Sequence, residues 1–252
     1  MDGDRPFPIP DLRQHALLLD FDGTLVDIAP TPESVEVPAS LRRVLARLIE
    51  RTGGAVALVS GRSVVDLDRF FAPMRLPVVG VHGAELRLLN GAATEKRDTA
   101  GLEPRLRHKL IALAGSGVVA EDKGLSVALH YRLAPERARS IRAAVDEICA
   151  EPWDAPIEVL PGKSVIEIKH AGFSKGSGVR ELMTHAPFRG RRPIFIGDDT
   201  TDETVFAILP ELDGIGFSVG RQVQGIAGCF DTPADVRAWL EKLAPADESV
   251  AP

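Results

Sequence analysis

The run Ala16-Leu17-Leu18-Leu19 passes without a polar break into Asp20-Phe21-Asp22-Gly23-Thr24. A strand with one face in water alternates apolar and polar residues. A continuous apolar run instead points to a strand covered on both faces, as in a parallel sheet flanked by helices. In open sheets of that kind, ligands gather at the carboxyl ends of the strands. Here that end carries two carboxylates one residue apart. Asp and Gly also favour ordinary turns, so the segment needs support from the rest of the chain.

From Pro38 the period changes. Leu41, Val44, Leu45, Leu48 and Ile49 recur at three- and four-residue steps with arginines between them, which predicts an amphipathic helix closing at Gly53-Gly54. Ala55–Val59 reads as a second buried strand broken by Ser60-Gly61-Arg62, Val64–Phe71 as a helix and Pro77–Val81 as a third strand. The middle has a different rhythm. A helix over Leu102–Leu113 precedes a hairpin of Gly117–Asp122 and Leu125–Arg132 about Lys123-Gly124. A second helix, Pro135–Ala150, then leads to another hairpin, Ile157–Leu160 with Ser164–Lys169, about Pro161-Gly162. The first pattern resumes with Gly176–Ala186 as helix, Pro193–Ile196 as strand, Asp202–Leu209 as helix and Gly214–Val219 as strand. Thr232 caps a last helix that has Pro233 at its first position and runs to about Leu243. An α/β pattern interrupted and resumed predicts one domain inserted into another. The expected fold is α/β: a Rossmann-like parallel-sheet core of residues 1–102 and 173–252. An α+β unit of residues 103–172 is inserted in it, in helix-strand-strand-helix-strand-strand order.

Charge and cysteine content narrow the class of partner. Lys plus Arg number 30 against 36 for Asp plus Glu, a net charge of −6. That balance argues against nucleic acid and anionic membranes, which require a basic face. No apolar run reaches the roughly 20 residues of a membrane span, and the acidic, Pro-rich start has no signal-peptide pattern. Cys149 and Cys229 fit no metal or redox spacing and read as reduced thiols. A cytoplasmic monomer acting on a small molecule is expected, with a short low-complexity tail from Pro245.

The support for the first acidic segment comes from Gly197-Asp198-Asp199, which follows the strand Pro193–Ile196, with Asp202-Glu203 opening the next helix. Carboxylates at the ends of two parallel strands converge on one patch and would repel unless a cation sat among them. Oxygen ligands select a hard cation, and Mg²⁺ is the most available candidate. Ser60 and the loop N–H groups beside it suit phosphate oxygens, and Lys175, just ahead of a helix, could bring an ammonium to the same patch.

In that order, Asp20-Phe21-Asp22-Gly23-Thr24, Ser60, Lys175 and Gly197-Asp198-Asp199 resemble the motifs of the haloacid-dehalogenase-type phosphohydrolase superfamily. The resemblance implies transfer through an aspartyl-phosphate, with Asp20 as nucleophile and Asp22 as general acid and then base. It implies Ser60 and Lys175 holding the phosphoryl group, and Mg²⁺ bound by Asp20, Asp198 and the backbone carbonyl of Asp22. Asp199 and Asp202 would orient metal-bound waters or Lys175.

Three further segments are similar to the trehalose-6-phosphate phosphatase family. They are Gly197-Asp198-Asp199-Thr200-Thr201-Asp202-Glu203, Gly80-Val81-His82-Gly83-Ala84-Glu85, and the stretch from Gly162-Lys163 through Glu167 to Lys169, where relatives often carry Arg. The resemblance implies an inserted cap that selects a sugar phosphate. Alternation along Ser164–Lys169 puts Lys163, Val165, Glu167 and Lys169 on one face, suited to sugar hydroxyls or to a cross-strand ion pair. The same two roles stand open for Lys123, His130 and Arg132. His82 could be structural or touch substrate, and Arg62 could make a polar contact near the mouth. The alternatives are another capped sugar phosphatase, of sucrose-phosphate or mannosyl-phosphoglycerate type, and a receiver-like phosphoacceptor domain. In receivers, however, the metal-binding acid pair precedes the accepting Asp by a strand or more.

Overall fold

The computed structural model describes residues 10–89, 92–96 and 101–245. The first nine residues of the acidic N-terminus and the tail beyond Pro245 lie outside the described residues. The chain opens with β1 (His15–Leu19), α1 (Ala39–Arg51), β2 (Val56–Val59), α2 (Val64–Phe71) and β3 (Val78–Gly80). β4 (Glu85–Arg87) and β5 (Glu95–Lys96) follow. The middle holds α3 (Pro104–Ile111), β6 (Val119–Asp122), β7 (Ser126–His130), α4 (Ala138–Cys149), β8 (Ile157–Gly162) and β9 (Val165–His170). The last part holds α5 (Lys175–Leu182), β10 (Arg192–Gly197), α6 (Glu203–Phe206), β11 (Ile215–Val219), β12 (Gly228–Phe230) and α7 (Pro233–Leu243).

Among the described residues, eight strands form one sheet in the order β12-β11-β10-β1-β2-β3-β4-β5. Pairing is parallel from β12 through β3, and antiparallel at β3–β4 and β4–β5. Successive residues of β1 serve opposite layers. Leu17 and Leu19 meet α1, α2 and α7 in one core, whereas Ala16 and Leu18 meet α5 and α6 in the other. This is the physical reason for the unbroken apolar run. Chain order moves outward from β1 through β2 and β3 on one side, and from β10 through β11 and β12 on the other. The topological switch point, where a crevice forms, therefore lies between β1 and β10.

A second sheet is antiparallel, in the order β6-β7-β9-β8. Val127, Leu129, Ile166 and Ile168 turn to α3 and α4, packing with Leu106, Leu110, Ile141 and Val145. The opposite face carries Glu121, Ala128, His130 and Glu167, aligned across the strands by the register Glu121↔Ala128↔Glu167.

Several details differ from the sequence reading, which has no counterpart of the three-residue β12 and carries α5 on to Ala186. The β4–β5 hairpin makes the core sheet mixed at one edge, and its strands are too short to carry a period. β8 continues through Pro161 and Gly162, so the turn falls at Lys163-Ser164, with Ser164 in the left-handed region (φ 64). Proline is tolerated there because β8 is, among the described residues, an edge strand. The helix expected over Asp202–Leu209 is a 3₁₀ turn, the short α6 and a second 3₁₀ turn, which Pro210 enters.

Candidate active site

β1 and β10 run in register, with Leu19 opposite Ile196, and the Asp20 N–H donates to the Ile196 carbonyl at 2.9 Å. This pairing brings Asp20 and Asp198 out of the sheet side by side at the switch point. The loop after Asp20 closes tightly, since Leu25 N and Val26 N both donate to Phe21 O, and Gly23 N to Val26 O. Gly23 lies at φ +81, and a Cβ there would overlap the Asp198 carboxylate. Only glycine meets both demands.

Lys175 opens α5, whose first turn is held by Ser174 accepting from Ser177 N at 3.1 Å. Its Nζ donates to Asp20 Oδ1 at 2.8 Å and to Asp202 Oδ1 at 2.7 Å. The second Asp202 oxygen accepts from Asp199 N at 3.0 Å. Asp20, Asp198 and Asp202 are all buried, and each offers an oxygen within 4.8 Å of the others. Burial pushes the Asp20 carboxyl well above the ordinary Asp range; Lys175 opposes this, and Asp202 and Asp198 add to it. Burial likewise raises Asp198 against the counter-pull of Lys163. For Lys175 the balance is reversed. Burial would lower it, but Asp20 and Asp202 outweigh burial and hold the ammonium above its ordinary range.

Three carboxylates against one fully buried ammonium leave the cluster short of positive charge. Asp20 Oδ2 is buried without any hydrogen-bond partner. An all-oxygen donor set with an orphaned carboxylate oxygen fits a hard divalent cation such as Mg²⁺.

Ser60 ends β2 and is buried; its Oγ accepts from Arg62 N at 3.1 Å, which leaves its hydroxyl hydrogen to donate into the cleft. The Arg62 guanidinium is turned onto Asp22, with Nε to Oδ2 at 2.6 Å and Nη2 to Oδ1 at 2.8 Å. Behind this loop Val81 and His82 are both left-handed (φ 44 and 52). Their N–H groups donate to Arg62 O and Ser60 O.

The cap sheet supplies the opposite wall. Lys163, at the β8–β9 turn, reaches Asp198 Oδ2 at 2.9 Å. Glu167 is buried and accepts from Ser126 Oγ at 2.6 Å and Lys123 Nζ at 3.1 Å, and it pairs with His82 Nε2 at 3.0 Å. Burial alone would raise Glu167, but Lys123 and His82, with Ser126, hold its carboxyl well below the ordinary range. Lys123 also donates to Gly61 O at 2.9 Å, so one lysine ties the cap to the Ser60 loop. His130 pairs with Glu121 at 2.9 Å, and Arg132 donates to the carbonyls of Ala29 and Lys163.

One cleft gathers the side chains singled out above as site candidates except Lys169 and Asp202, the latter fully buried behind Lys175. Asp199 lines the cleft but spends Oδ1 on capping Thr200 N. Lys169 shares the face of Glu167 yet turns away from the cleft, to Glu158 at 2.6 Å and to the Phe173 carbonyl. Glu121 is unmarked in the sequence reading, and Glu85 is named there only within the Gly80–Glu85 segment, without a role. Glu121 lines the cleft, and two-residue alternation with Lys123 would have marked it. Glu85 accepts from Val64 N at 2.8 Å and so anchors the start of α2, a tertiary contact with no local signal.

Comparison with known proteins places these residues among relatives. The family profile described as trehalose-phosphatase matches residues 18–227. A probable trehalose-phosphate phosphatase of Sinorhizobium fredii is 42% identical over 218 residues, covering 84% of this chain and 80% of the relative. The trehalose-6-phosphate phosphatase of Escherichia coli is 37% identical over 235 residues, covering 92% of this chain and 88% of the relative. Among solved structures, a phosphatase of the haloalkanoate (HAD) enzyme superfamily from Bacteroides thetaiotaomicron superposes with a TM-score of 0.60 at 15% identity. It covers 95% of this chain and 97% of its own. At that identity the likeness shows the fold alone.

Proposed function

The chain belongs to the trehalose-phosphatase family, and on that premise we propose that it hydrolyses trehalose 6-phosphate to trehalose and phosphate through an aspartyl-phosphate on Asp20. The observation that carries the chemistry is the bridge of Lys175 between Asp20 and Asp202 beside an unpartnered Asp20 oxygen. A carboxylate is a competent nucleophile when a neighbouring cation holds it ionised in a buried site.

In the first step an Asp20 oxygen bonds to phosphorus. The electron pair of the breaking P–O bond goes to the sugar oxygen, which takes a proton from Asp22. In the second, water bonds to phosphorus and passes a proton to Asp22, and the electron pair of the Asp20–phosphorus bond returns to Asp20. The Ser60 hydroxyl donates to a phosphoryl oxygen, and Lys175 offsets charge as the group is transferred. Asp20, Asp198 and the carbonyl of Asp22 would hold Mg²⁺, which when bound supplies positive charge to the phosphoryl oxygens. Asp202 holds the Lys175 ammonium in place.

Residues 103–172 act as the cap and residues 1–102 with 173–252 as the catalytic core. Glu167, Lys123, Lys163, His130 and Arg132 present donors and acceptors to the disaccharide, and His82 joins the cap to the core through Glu167. The family match leaves the receiver-domain reading without support. The proposed reading takes the enzyme as a monomer in a reducing cytoplasm; no helix among the described residues is long and apolar enough to cross a membrane, and both cysteines are free. Phosphate release from trehalose 6-phosphate, glucose 6-phosphate and sucrose 6-phosphate, with and without EDTA, tests the reading. Turnover should be fastest on trehalose 6-phosphate and vanish with EDTA or in Asp20→Asn. Comparable rates on glucose 6-phosphate would sink the substrate assignment.

A further inference from the structure

Arg62 lines the cleft, but its guanidinium is committed inward. Two of its nitrogens grip both oxygens of Asp22, and the third, Nη1, donates to the Pro32 carbonyl at 2.8 Å. The guanidinium carbon sits 5.5 Å from the Phe21 ring centroid and 4.9 Å from that of Phe70, so its plane is fixed by aromatic faces as well as by hydrogen bonds. Its backbone N–H is fixed too, on Ser60 Oγ at 3.1 Å. The Arg62 side chain is 13% exposed, against 34% for Asp22: the arginine is the buried support and the carboxylate the open end.

We propose that Arg62 is a positioning residue for the proton transfers of Asp22, setting where that carboxyl meets the leaving oxygen and then the attacking water. The proposal rests on the acid–base reading of Asp22 given above. A bidentate arginine fork fixes the plane of a carboxylate and uses one lone pair on each oxygen. The other lone pair on each faces outward, available to carry the proton that passes to the sugar oxygen and is regained from water. Asp22 has no other side-chain partner among the described residues. Without the fork, its carboxyl would rotate into solvent between the two transfers. Lysine could keep the charge over Phe21 and Phe70 but not the fork.

The test uses substrates without a sugar, so that cap contacts play no part: a series of substituted phenyl phosphates of rising leaving-group pKa, and ethyl phosphate. Steady-state kcat and KM are measured with Mg²⁺ for the parent, Arg62→Lys, Arg62→Gln, Asp22→Asn and the Arg62→Gln/Asp22→Asn double variant. A proton donor matters most for poor leaving groups. Both Arg62 variants should therefore lose roughly 10- to 100-fold in kcat on ethyl phosphate, the scale of a misplaced catalytic group. In kcat/KM, which stops at the first transfer and does not see the later water step, they should lose less than about 3-fold on the most acidic phenol. The double variant should be no slower than Asp22→Asn alone. An equal loss of kcat/KM across all leaving groups, a loss on ethyl phosphate confined to KM, or a double variant whose loss is the product of the two singles would overturn the proposal. If Asp22→Asn does not steepen the dependence on leaving-group pKa, the acid–base reading fails and the proposal with it. If Asp22→Asn steepens it and the Arg62 variants do not, the proposal alone fails. Arg62→Lys keeps the cation over the two rings and carries the test should Arg62→Gln not fold.

Discussion

Among the described residues, Lys175 is the one cation fully buried beside Asp20, Asp198 and Asp202, and the cost of replacing it with methionine follows from the geometry. Two unit charges at the 4.8 Å outer separation of these oxygens repel by about 3.5 kcal/mol at an effective dielectric near 20. The protein can escape that repulsion by taking up a proton. Protonating one carboxyl of ordinary pKa at pH 7 costs about 4.2 kcal/mol, which sets a ceiling on the loss. The metal-free variant should therefore be destabilised by about 3–4 kcal/mol at pH 7, in the range expected for a buried ion pair that loses one partner. The pH dependence has a definite sign. The variant's native state holds a proton that its unfolded state gives up, so falling pH favours the native form, and the loss shrinks by up to about 1.4 kcal/mol per unit. Lys175 itself, held above its ordinary range, contributes its full share of stability to the parent throughout the pH range in question, because that share is lost only as pH rises through the elevated value. The assay is urea unfolding in EDTA at pH 8, 7 and 6. Trp239 lies in the catalytic core and Trp153 in the cap, so a Trp153→Phe background makes tryptophan fluorescence report the core alone. A loss below about 1 kcal/mol, or one that grows as the pH falls, refutes the electrostatic account of the cluster.

Gly23→Ala should leave the chain folded but weaken Mg²⁺ binding more than about tenfold by calorimetric titration, since the added methyl displaces the Asp198 carboxylate it overlaps. Unchanged affinity would show that Asp198 is not a ligand in its observed place. Glu167→Gln keeps the shape of the side chain but loses its charged hydrogen bonds to Lys123 and Ser126, a cost of about 2 kcal/mol in cap stability read from Trp153 fluorescence. Glu167 is held below its ordinary value, so its contribution is complete above about pH 4.3 and lost only as pH falls through the lower native value. Lys123 is held above its ordinary value, so its share is complete below about pH 10.4 and lost as pH rises through the higher native value. With the His82 imidazole 3.0 Å from Glu167, the window in which the difference between parent and variant should be flat lies between about pH 8 and 10, and a slope inside it would count against the pair.

The core was legible where residues repeat with a period or sit at an element's end. Leu41 to Leu48 gave α1, and the unbroken Ala16–Leu19 run gave a strand sandwiched between two helical layers. The acidic ends of β1 and β10 stood out because carboxylates after buried strands have few structural reasons to be there. What escaped notice was tertiary. β4 and β5 are too short for any periodicity, and their pairing depends on the neighbouring edge of β3. The turn at Lys163-Ser164 lay two residues past the Pro-Gly signal because an edge strand accepts proline, a fact about sheet order that no local window contains. Arg62 is visible as a cation near the mouth; that it faces Asp22 goes with the tilted Phe21 and Phe70 rings beneath it, which only the packing of α2 against the sheet brings together.

The His-Gly-Ala-Glu segment shows the same division between a legible residue and an illegible role. Val81 is β-branched and His82 bulky, yet both occupy the left-handed region, at a cost of order 1–3 kcal/mol each. His82 Nδ1 is in addition buried without a partner. Such a turn persists only if its surroundings over-determine it, and here they do so from three directions. Val81 N and His82 N grip the carbonyls of Arg62 and Ser60 at 2.9 and 3.1 Å. Gly83 lies so close to Ser174 that a Cβ would overlap the Ser174 carbonyl, placing the turn against the start of the Lys175 helix. His82 Nε2 meets Glu167 of the cap. A relaxed turn could satisfy any one of these contacts. Satisfying all three with the consecutive Val81, His82 and Gly83 takes the chain through positive φ, and the strained turn ties Ser60, the start of the Lys175 helix and the second sheet to one another. In the proposed reaction a phosphoryl group held between Ser60 and Lys175 would need that spacing set before substrate arrives, because a site that must reorganise loses the benefit of its aligned donors.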